Sequence, residues 1–136
     1  MALLLEADPS ENQIRKYLCN ADIYTVVSEG ETVGVCVLQP HSAITLELMN
    51  IAVRPGSQGK GIGRQLLQFV IAQSRQKKAQ ELLLGTGTFG YQLAFYQREG
   101  FRVVSIDKDF FLNHYEEPVM ENGIQHKDML RLKLVL

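Results

Sequence analysis

A strand that runs into a glycine-rich loop and then a helix constrains this chain more than any other stretch. Residues 46–53, LELMNIAV, are largely apolar and partly β-branched, as expected for a buried strand. Pro55 cannot donate a hydrogen bond to a sheet, so the strand ends before it. Gly59, Gly61 and Gly63 follow at alternate positions, and an apolar pattern with helical spacing comes next. The stretch predicts strand, tight loop and helix in that order.

The alternating glycines have a physical use at the start of a helix. Without a Cβ atom, the backbone can approach a ligand closely. The first N–H groups of a helix have no partner within it and lie at the positive end of its dipole. The loop is therefore predicted to bind an anion such as a pyrophosphate.

Two common nucleotide-binding motifs do not account for this loop. A Walker loop needs Gly-Lys followed by Ser or Thr, whereas Gly59-Lys60 is followed by Gly61 and offers no hydroxyl to Mg²⁺. The dinucleotide fingerprint G-x-G-x-x-G is one residue longer than the spacing from Gly59 to Gly63.

Two motifs together resemble the GNAT superfamily of N-acetyltransferases. Gln58-x-x-Gly61-x-Gly63, directly after a strand, resembles its acetyl-CoA loop. Residues 93–101, LAFYQREGF, resemble its second signature, in which a helix presents a tyrosine ahead of x-x-x-Gly-Phe. The motifs and the strands between them span residues 46–101, roughly two-fifths of the chain. The resemblance implies an N-acetyltransferase with acetyl-CoA as cosubstrate and no metal.

The resemblance also implies which residues contact acetyl-CoA. In the family the pantetheine arm lies beside the strand like an added strand, and a bulge there supplies an N–H to the thioester oxygen. Both features map to residues 51–53. Thr88 and Gln92 are candidates for a further pantetheine contact. The residues expected to bind the cofactor are Ile51, Ala52, Val53, Gln58, Gly59, Lys60, Gly61, Ile62, Gly63, Arg64 and Thr88.

Attack of an amine on a thioester requires an uncharged amine. A lysine-like amine has a pKa of about 10.4, so neutralising it at pH 7 costs about 4–5 kcal/mol. A carboxylate can accept the proton, and in many family members a glutamate at the position of Glu47 is this general base. Alternation along the strand predicts that it shares a face with Met49, Ile51 and Val53. The alternative bases, all in a later acidic segment, are Asp109, His114 and Glu117.

The leaving group of the implied reaction is a thiolate, whose pKa of about 8.5 means that it needs only modest help at neutral pH. The second motif places Tyr96 where the family's tyrosine donates a proton to that thiolate. The alternative is an aromatic side chain that simply packs on the sheet.

The acceptor is the least constrained part of the interpretation. Residues 107–121 hold five acids and one lysine, interleaved with aromatic residues. They form either a negative, aromatic-lined mouth for a cationic amine, such as an aminoglycoside, a polyamine or a basic amino acid, or a solvated loop. The favoured acceptor is a small-molecule amine. The alternatives are a protein N-terminus or lysine and, from another class, a non-catalytic acyl-CoA sensor module.

Composition is typical of one globular domain. With 136 residues and a net charge of −1, residues 1–136 are expected to form a single N-acetyltransferase domain that does not bind nucleic acid. The apolar run at residues 2–5 is too short for a signal peptide or membrane span. Cys19 and Cys36 lack metal-ligand spacing and are expected to be reduced, buried thiols of a cytoplasmic protein. The sequence does not fix the oligomeric state, and a homodimer is compatible with it, since strand-edged domains often dimerise.

The remaining pattern predicts the element order β-α-β-β-β-α-β-α-β-β. It begins with a strand at residues 3–5 and a helix capped by Asp8, and it ends with an irregular segment at 107–123 and a closing strand at 126–136. This order gives an α/β (α+β) fold with a mixed, mostly antiparallel sheet and helices on both faces, as in GNAT enzymes.

Overall fold

A computed structural model of residues 1–136 divides into two units, residues 1–82 with Leu136, and residues 83–135. The first unit contains helix α1 (Glu11–Leu18), strands β1 (Asp22–Ser28), β2 (Glu31–Pro40) and β3 (Thr45–Val53), and helix α2 (Ile62–Gln76). Strand β4 (Glu81–Gly87) begins at the end of this unit. The second unit continues with α3 (Tyr91–Arg98), β5 (Arg102–Asp107), α4 (Phe110–His114), β6 (Met120–Glu121), β7 (Ile124–Gln125) and β8 (Met129–Val135).

In the first unit, β1, β2 and β3 pair antiparallel in that order. Glu29 and Gly30 connect β1 to β2 with φ of 53° and 80°, the left-handed values that a tight hairpin turn requires. Helix α2 packs against β2 and β3. A buried apolar cluster joins α1 to the sheet and comprises Leu4, Ile14, Tyr17, Val35, Val37 and Ala52. The predicted strand before the glycine loop and the helix after it are thus confirmed.

Strand β3 contains a bulge at Met49. Leu48 and Asn50 pair with consecutive residues of β2, so Met49 between them has no partner in the ladder. The bulge therefore precedes residues 51–53, and the part of the prediction that placed it within those residues is wrong.

The bulge reverses which side chains share a face. Because strand side chains alternate, one unpaired residue moves everything beyond it to the opposite face. The register with β2 places Glu47 on the face of Asn50 and Ala52. The prediction that Glu47 shares a face with Ile51 and Val53 is wrong for this reason.

In the second unit, β8 lies between β4 and β5, and β5 pairs with it antiparallel. Strands β6 and β7 form a separate two-stranded hairpin across Asn122-Gly123, whose φ angles are 53° and 77°. The prediction that residues 107–123 are irregular is wrong, because this segment contains α4 and the first strand of that hairpin. The predicted closing strand is present but starts at Met129.

The beginning of the chain also differs from the prediction. Leu4–Glu6 form a 3₁₀ turn in place of a strand, with Leu4 buried in the core. Ser10, and not Asp8, caps α1 by accepting a hydrogen bond from the backbone N–H of Gln13 at 3.2 Å. The cysteines differ as well, since Cys36 is buried and Cys19 is exposed.

The strands form a mixed, mostly antiparallel sheet accompanied by helices, so the predicted fold class is confirmed. None of the helices has the length and apolar character required to cross a bilayer.

Candidate active site

The glycine loop joins β3 to α2 through a 3₁₀ turn at Pro55–Ser57. Gln58 ties the loop to the strand, because its Nε2 donates a hydrogen bond to the carbonyl oxygen of Val53 at 3.0 Å. Gly59 and Gly61 have φ of +78° and +80°, a region that residues with a side chain rarely adopt. A Cβ atom at either glycine would meet nothing within 4 Å. Backbone conformation, and not crowding within the chain, therefore requires glycine here.

The loop leads into the positive end of α2. Gly61 is the N-cap residue, and the first turn of the helix carries no acidic side chain. Lys60 and Arg64 are exposed on either side of the cap. Within the first unit, residues 58–64 thus combine the N-terminus of a helix with two cationic side chains, an arrangement suited to an anion.

Glu47 is a largely buried carboxylate with a histidine partner. Its side chain is 11% exposed, and Oε1 lies 2.8 Å from Nε2 of His41, whose own side chain is 45% exposed. The turn that carries His41 is fixed by a hydrogen bond from its backbone N–H to the carbonyl oxygen of Thr45 at 2.9 Å. The structure therefore shows a largely buried Glu47 carboxylate in contact with a histidine that is itself partly exposed to solvent.

Tyr96 is buried near the end of α3, where its ring lies 6.0 Å from that of Phe101 and 5.2 Å from that of Phe95. Burial, and then the nearby Tyr91, raise the pKa of its phenol above the ordinary value. The phenol therefore keeps its proton at neutral pH and can donate a hydrogen bond. Thr88, the other predicted site residue of this unit, is exposed after β4.

The second unit also contains a histidine–carboxylate pair that the sequence interpretation missed. Nε2 of His126 lies 2.8 Å from Oε1 of Glu121, and their side chains are 6% and 26% exposed. Nδ1 of His126 is buried without a hydrogen-bond partner. The dipeptide Asn122-Gly123, a strong hairpin signal, could have indicated that these residues approach each other across a turn.

A family model matches the greater part of the sequence. Residues 20–103 match the model of the acetyltransferase (GNAT) domain, a span that includes the glycine loop, Glu47 and Tyr96 and covers more than half of the chain. The chain belongs to the GNAT family. It is therefore an N-acetyltransferase, as the two motifs predicted.

Relatives of this GNAT chain are similar over nearly its whole length. YvbK of Bacillus subtilis (strain 168), an uncharacterized N-acetyltransferase, is 44% identical over 98% of this chain and 87% of its own. A GNAT acetyltransferase from Elizabethkingia anophelis, solved with acetyl-CoA bound, is 43% identical with a TM-score of 0.96, covering 99% and 89% of the two chains. An IAA acetyltransferase from Bacillus cereus ATCC 14579 is 46% identical with a TM-score of 0.94, covering 99% and 91%.

The acidic segment of this GNAT chain is packed by its own aromatic rings. Phe110 stacks on His114 at 4.3 Å, and the guanidinium of Arg131 lies over the Phe110 ring, 5.1 Å from its centroid. Phe111 contacts Tyr115 at 5.6 Å. The aromatic side chains thus pack against one another within the second unit. An acceptor site formed by the acidic residues of 107–121 stays a prediction.

The three alternative bases in this segment have other surroundings. Nδ1 of His114 lies 2.9 Å from the carbonyl oxygen of Phe110, within the same helical turn. The backbone N–H of Asp109 donates to Asp128 at 2.8 Å, and Glu117 is exposed. None of the three side chains is buried, in contrast with Glu47.

Proposed function

We propose that this GNAT enzyme binds acetyl-CoA through residues 58–64 and transfers the acetyl group to the amine of a small cationic molecule. The observation that carries the proposal is the pair of left-handed glycines, Gly59 and Gly61, directly before α2. Open space at both Cβ positions leaves room for a ligand to approach the backbone. The relative from Elizabethkingia anophelis, solved with acetyl-CoA bound, supports the choice of cofactor.

The proposed reaction is direct attack. The amine nitrogen forms a bond to the thioester carbon, and the C–S bond breaks as the thiolate of CoA leaves. Glu47 receives the proton that the ammonium form of the acceptor loses before it attacks. The nitrogen loses a second proton as the amide forms, and this proton replaces the one that Tyr96 gives to the leaving sulfur. Tyr96 donates its phenolic hydrogen toward the leaving sulfur, and backbone N–H groups of residues 51–53 stabilise the oxyanion between the two steps. The products are an amide and CoA.

Two acceptor classes have support. The acids of the second unit favour a cationic amine, since exposed carboxylates raise the local concentration of cations. IAA is a second candidate, because a relative 46% identical is an IAA acetyltransferase. Both belong in the same assay, which follows release of the CoA thiol.

Cofactor binding is tested first, by the melting temperature with and without excess acetyl-CoA. Ligand at about a hundred times its Kd stabilises the fold by roughly 2.7 kcal/mol, and the midpoint then rises by several degrees. Gly61→Val should abolish the rise, because the new side chain would occupy the space beside the backbone.

Gly30→Val is the matched control. Gly30 has the same φ of +80° and the same open Cβ position, but it lies in the β1–β2 hairpin. Its replacement should lower the melting temperature through backbone strain and still leave the acetyl-CoA response intact. A well-folded wild-type protein that shows no response would overturn the proposal.

A further inference from the structure

We propose that Gln39 binds the amino group of the acceptor together with Glu47, as a second hydrogen-bond acceptor beside the base. The inference rests on the proposed function and specifies where its acceptor is recognised. Both residues lie within the first unit, at the end of β2 and the beginning of β3. Gln39 is thus assigned as a specificity-determining residue for the amine.

The register of the sheet places the two side chains next to each other. Gln39 of β2 pairs directly with Glu47 of β3. Residues that are directly opposite on antiparallel strands project from the same face, and their Cβ atoms lie about 4.5–5.5 Å apart. A nitrogen atom that approaches this face can therefore contact both side chains at once.

The face that they share is the one on which α1 packs. Val37, two residues before Gln39 on β2, belongs to the apolar cluster that joins α1 to the sheet. Gln39 itself contacts the end of α1, because its Nε2 donates a hydrogen bond to the carbonyl oxygen of Cys19, the C-cap residue, at 3.4 Å. Two separate contacts thus place the Gln39–Glu47 pair beside the end of α1.

The contact with Cys19 determines which end of the Gln39 amide is available to a ligand. Only the NH₂ group of the amide can donate to a carbonyl oxygen, so Oε1 is the end that remains as an acceptor. An ionised Glu47 is likewise an acceptor of hydrogen bonds and not a donor. An N–H group between the two oxygens would bond to both, and a primary ammonium group offers three such donors with a positive charge.

The pair can be approached from solvent at the end of α1. Gln39 is partly exposed, and the residues around it, Pro40, His41 and Cys19, are exposed. The side chain of Glu47 retains 11% of its exposure. The exposed residues thus leave an approach to the carboxylate past the end of α1.

The same face is closed farther along β3. Asn50 is buried, and its Nδ2 donates to the carbonyl oxygen of Leu4 at 3.0 Å and to the hydroxyl of Tyr17 at 2.8 Å. These bonds tie β3 to the N-terminal 3₁₀ turn and to α1. An amine that reaches Glu47 on this face therefore passes Gln39.

Gln39 and Glu47 contribute differently to the proposed reaction. Glu47 takes a proton, so its contact with the nitrogen changes when the amine becomes neutral. A primary amine that has lost this proton still has two N–H groups, and one of them can stay bonded to Oε1 of Gln39. Because that contact exists both before and after proton transfer, its loss should raise KM for the amine and leave kcat unchanged.

The test measures KM and kcat for 1,4-diaminobutane by thiol release at saturating acetyl-CoA. Gln39→Met keeps the length of the side chain and removes the amide oxygen. KM should rise by about tenfold or more, as expected for the loss of a hydrogen bond to a charged group. Gln76→Met, at an exposed glutamine in the last turn of α2, is the matched control and should leave both constants unchanged.

Gln39→Glu separates recognition of the amine from the contact with α1. A carboxylate keeps oxygen acceptors at this position but cannot donate to the carbonyl oxygen of Cys19. If Gln39 acted only by holding α1, KM would rise in this variant as it does in Gln39→Met. Recognition of a cation predicts instead that KM stays at or below the wild-type value.

The inference fails on any of three results. These are an unchanged KM in Gln39→Met, an equal rise of KM in Gln39→Glu, and no thiol release with 1,4-diaminobutane by the wild-type enzyme. The rise in melting temperature with acetyl-CoA should be the same in all variants. The proposed function survives each of the three results if acetyl-CoA still raises the melting temperature and another acceptor in the assay releases thiol.

Discussion

Each unit of the molecule contains a histidine–carboxylate pair, and the two pairs have opposite burial. In both, Nε2 of the histidine lies 2.8 Å from a glutamate oxygen. In the first unit, Glu47 is buried and His41 faces solvent. In the second unit, His126 is buried and Glu121 is the more exposed partner. The same contact thus places a different chemical group inside the protein.

Under the proposed function, this difference favours a separate role for the buried partner of each pair. A buried carboxylate whose neighbour is in contact with water suits a proton acceptor, which must release its proton after each turnover. A buried imidazole whose tautomer is fixed by a carboxylate suits hydrogen-bond recognition. The following substitutions test that division, beginning with the largest expected effect.

Glu47→Gln should have the largest effect. We expect kcat/KM in the thiol-release assay to fall by about 10²- to 10⁴-fold, because an amide cannot accept the proton of the amine. The acetyl-CoA-induced rise in melting temperature should be retained, which separates loss of chemistry from loss of the cofactor site. Wild-type turnover in this variant would remove Glu47 from the mechanism and end the contrast between the pairs.

Tyr96→Phe extends the comparison to a buried hydroxyl of the second unit. We expect a loss in kcat of about 10²-fold, since a thiolate leaving group needs only modest help. A donor must be protonated to act, and burial raises the pKa of Tyr96, so its ionisation should reduce the rate only above the ordinary value of about 10. A wild-type pH–rate profile that falls below pH 10 and loses this fall in Tyr96→Phe would contradict the assignment.

Glu121→Ala tests whether the buried pair matters for stability. Its removal leaves Nε2 of a buried histidine without an acceptor, which costs about 1–3 kcal/mol of unfolding free energy. Chemical denaturation should show this loss, whereas Glu116→Ala, at an exposed acid of the same unit, should change stability by less than about 0.5 kcal/mol. Equal stability of the two variants would mean that the Glu121–His126 contact contributes nothing.

His41→Gln should have the smallest effect. Interactions of solvent-exposed polar side chains such as that of His41 contribute about 0–1 kcal/mol, so kcat/KM should fall no more than about fivefold. The glutamine amide can still donate to Glu47 and preserve its orientation. A loss as large as that of Glu47→Gln would show that His41 takes part in the chemistry, and the contrast between the pairs would need revision.

The sequence predicted local structure where short-range signals agree. Between β3 and α2, an apolar stretch, a proline and the glycines Gly59 and Gly61 all predict a strand, a loop and a helix. The structure has these elements in the same order. The hairpin at Glu29-Gly30 and the end of α3 near Gly100, with φ of 99°, follow from equally local signals.

Features set by pairing between distant residues were not predicted. The bulge at Met49 depends on how β3 aligns with β2, which alternation within one strand cannot reveal. The alternating apolar residues after His126 predict that it belongs to the closing strand, whereas in the structure it follows the hairpin that turns at Asn122-Gly123. Tertiary pairing determines the bulge, whereas a local turn signal marks the hairpin that brings Glu121 to His126.

The unpaired Met49 means that β3 can lose one residue between Glu47 and Ile51 without turning the Glu47 carboxylate to the other face of the sheet. Deleting Met49 would restore regular alternation along β3 and leave the Glu47 side chain on the face of Asn50 and Ala52, where the bulge already places it. Inserting one residue that is accommodated in the ladder would instead move Glu47 to the face of Ile51. Among relatives, a one-residue gap between the positions of Glu47 and Ile51 would therefore mark a strand without the bulge that keeps this carboxylate on the same face.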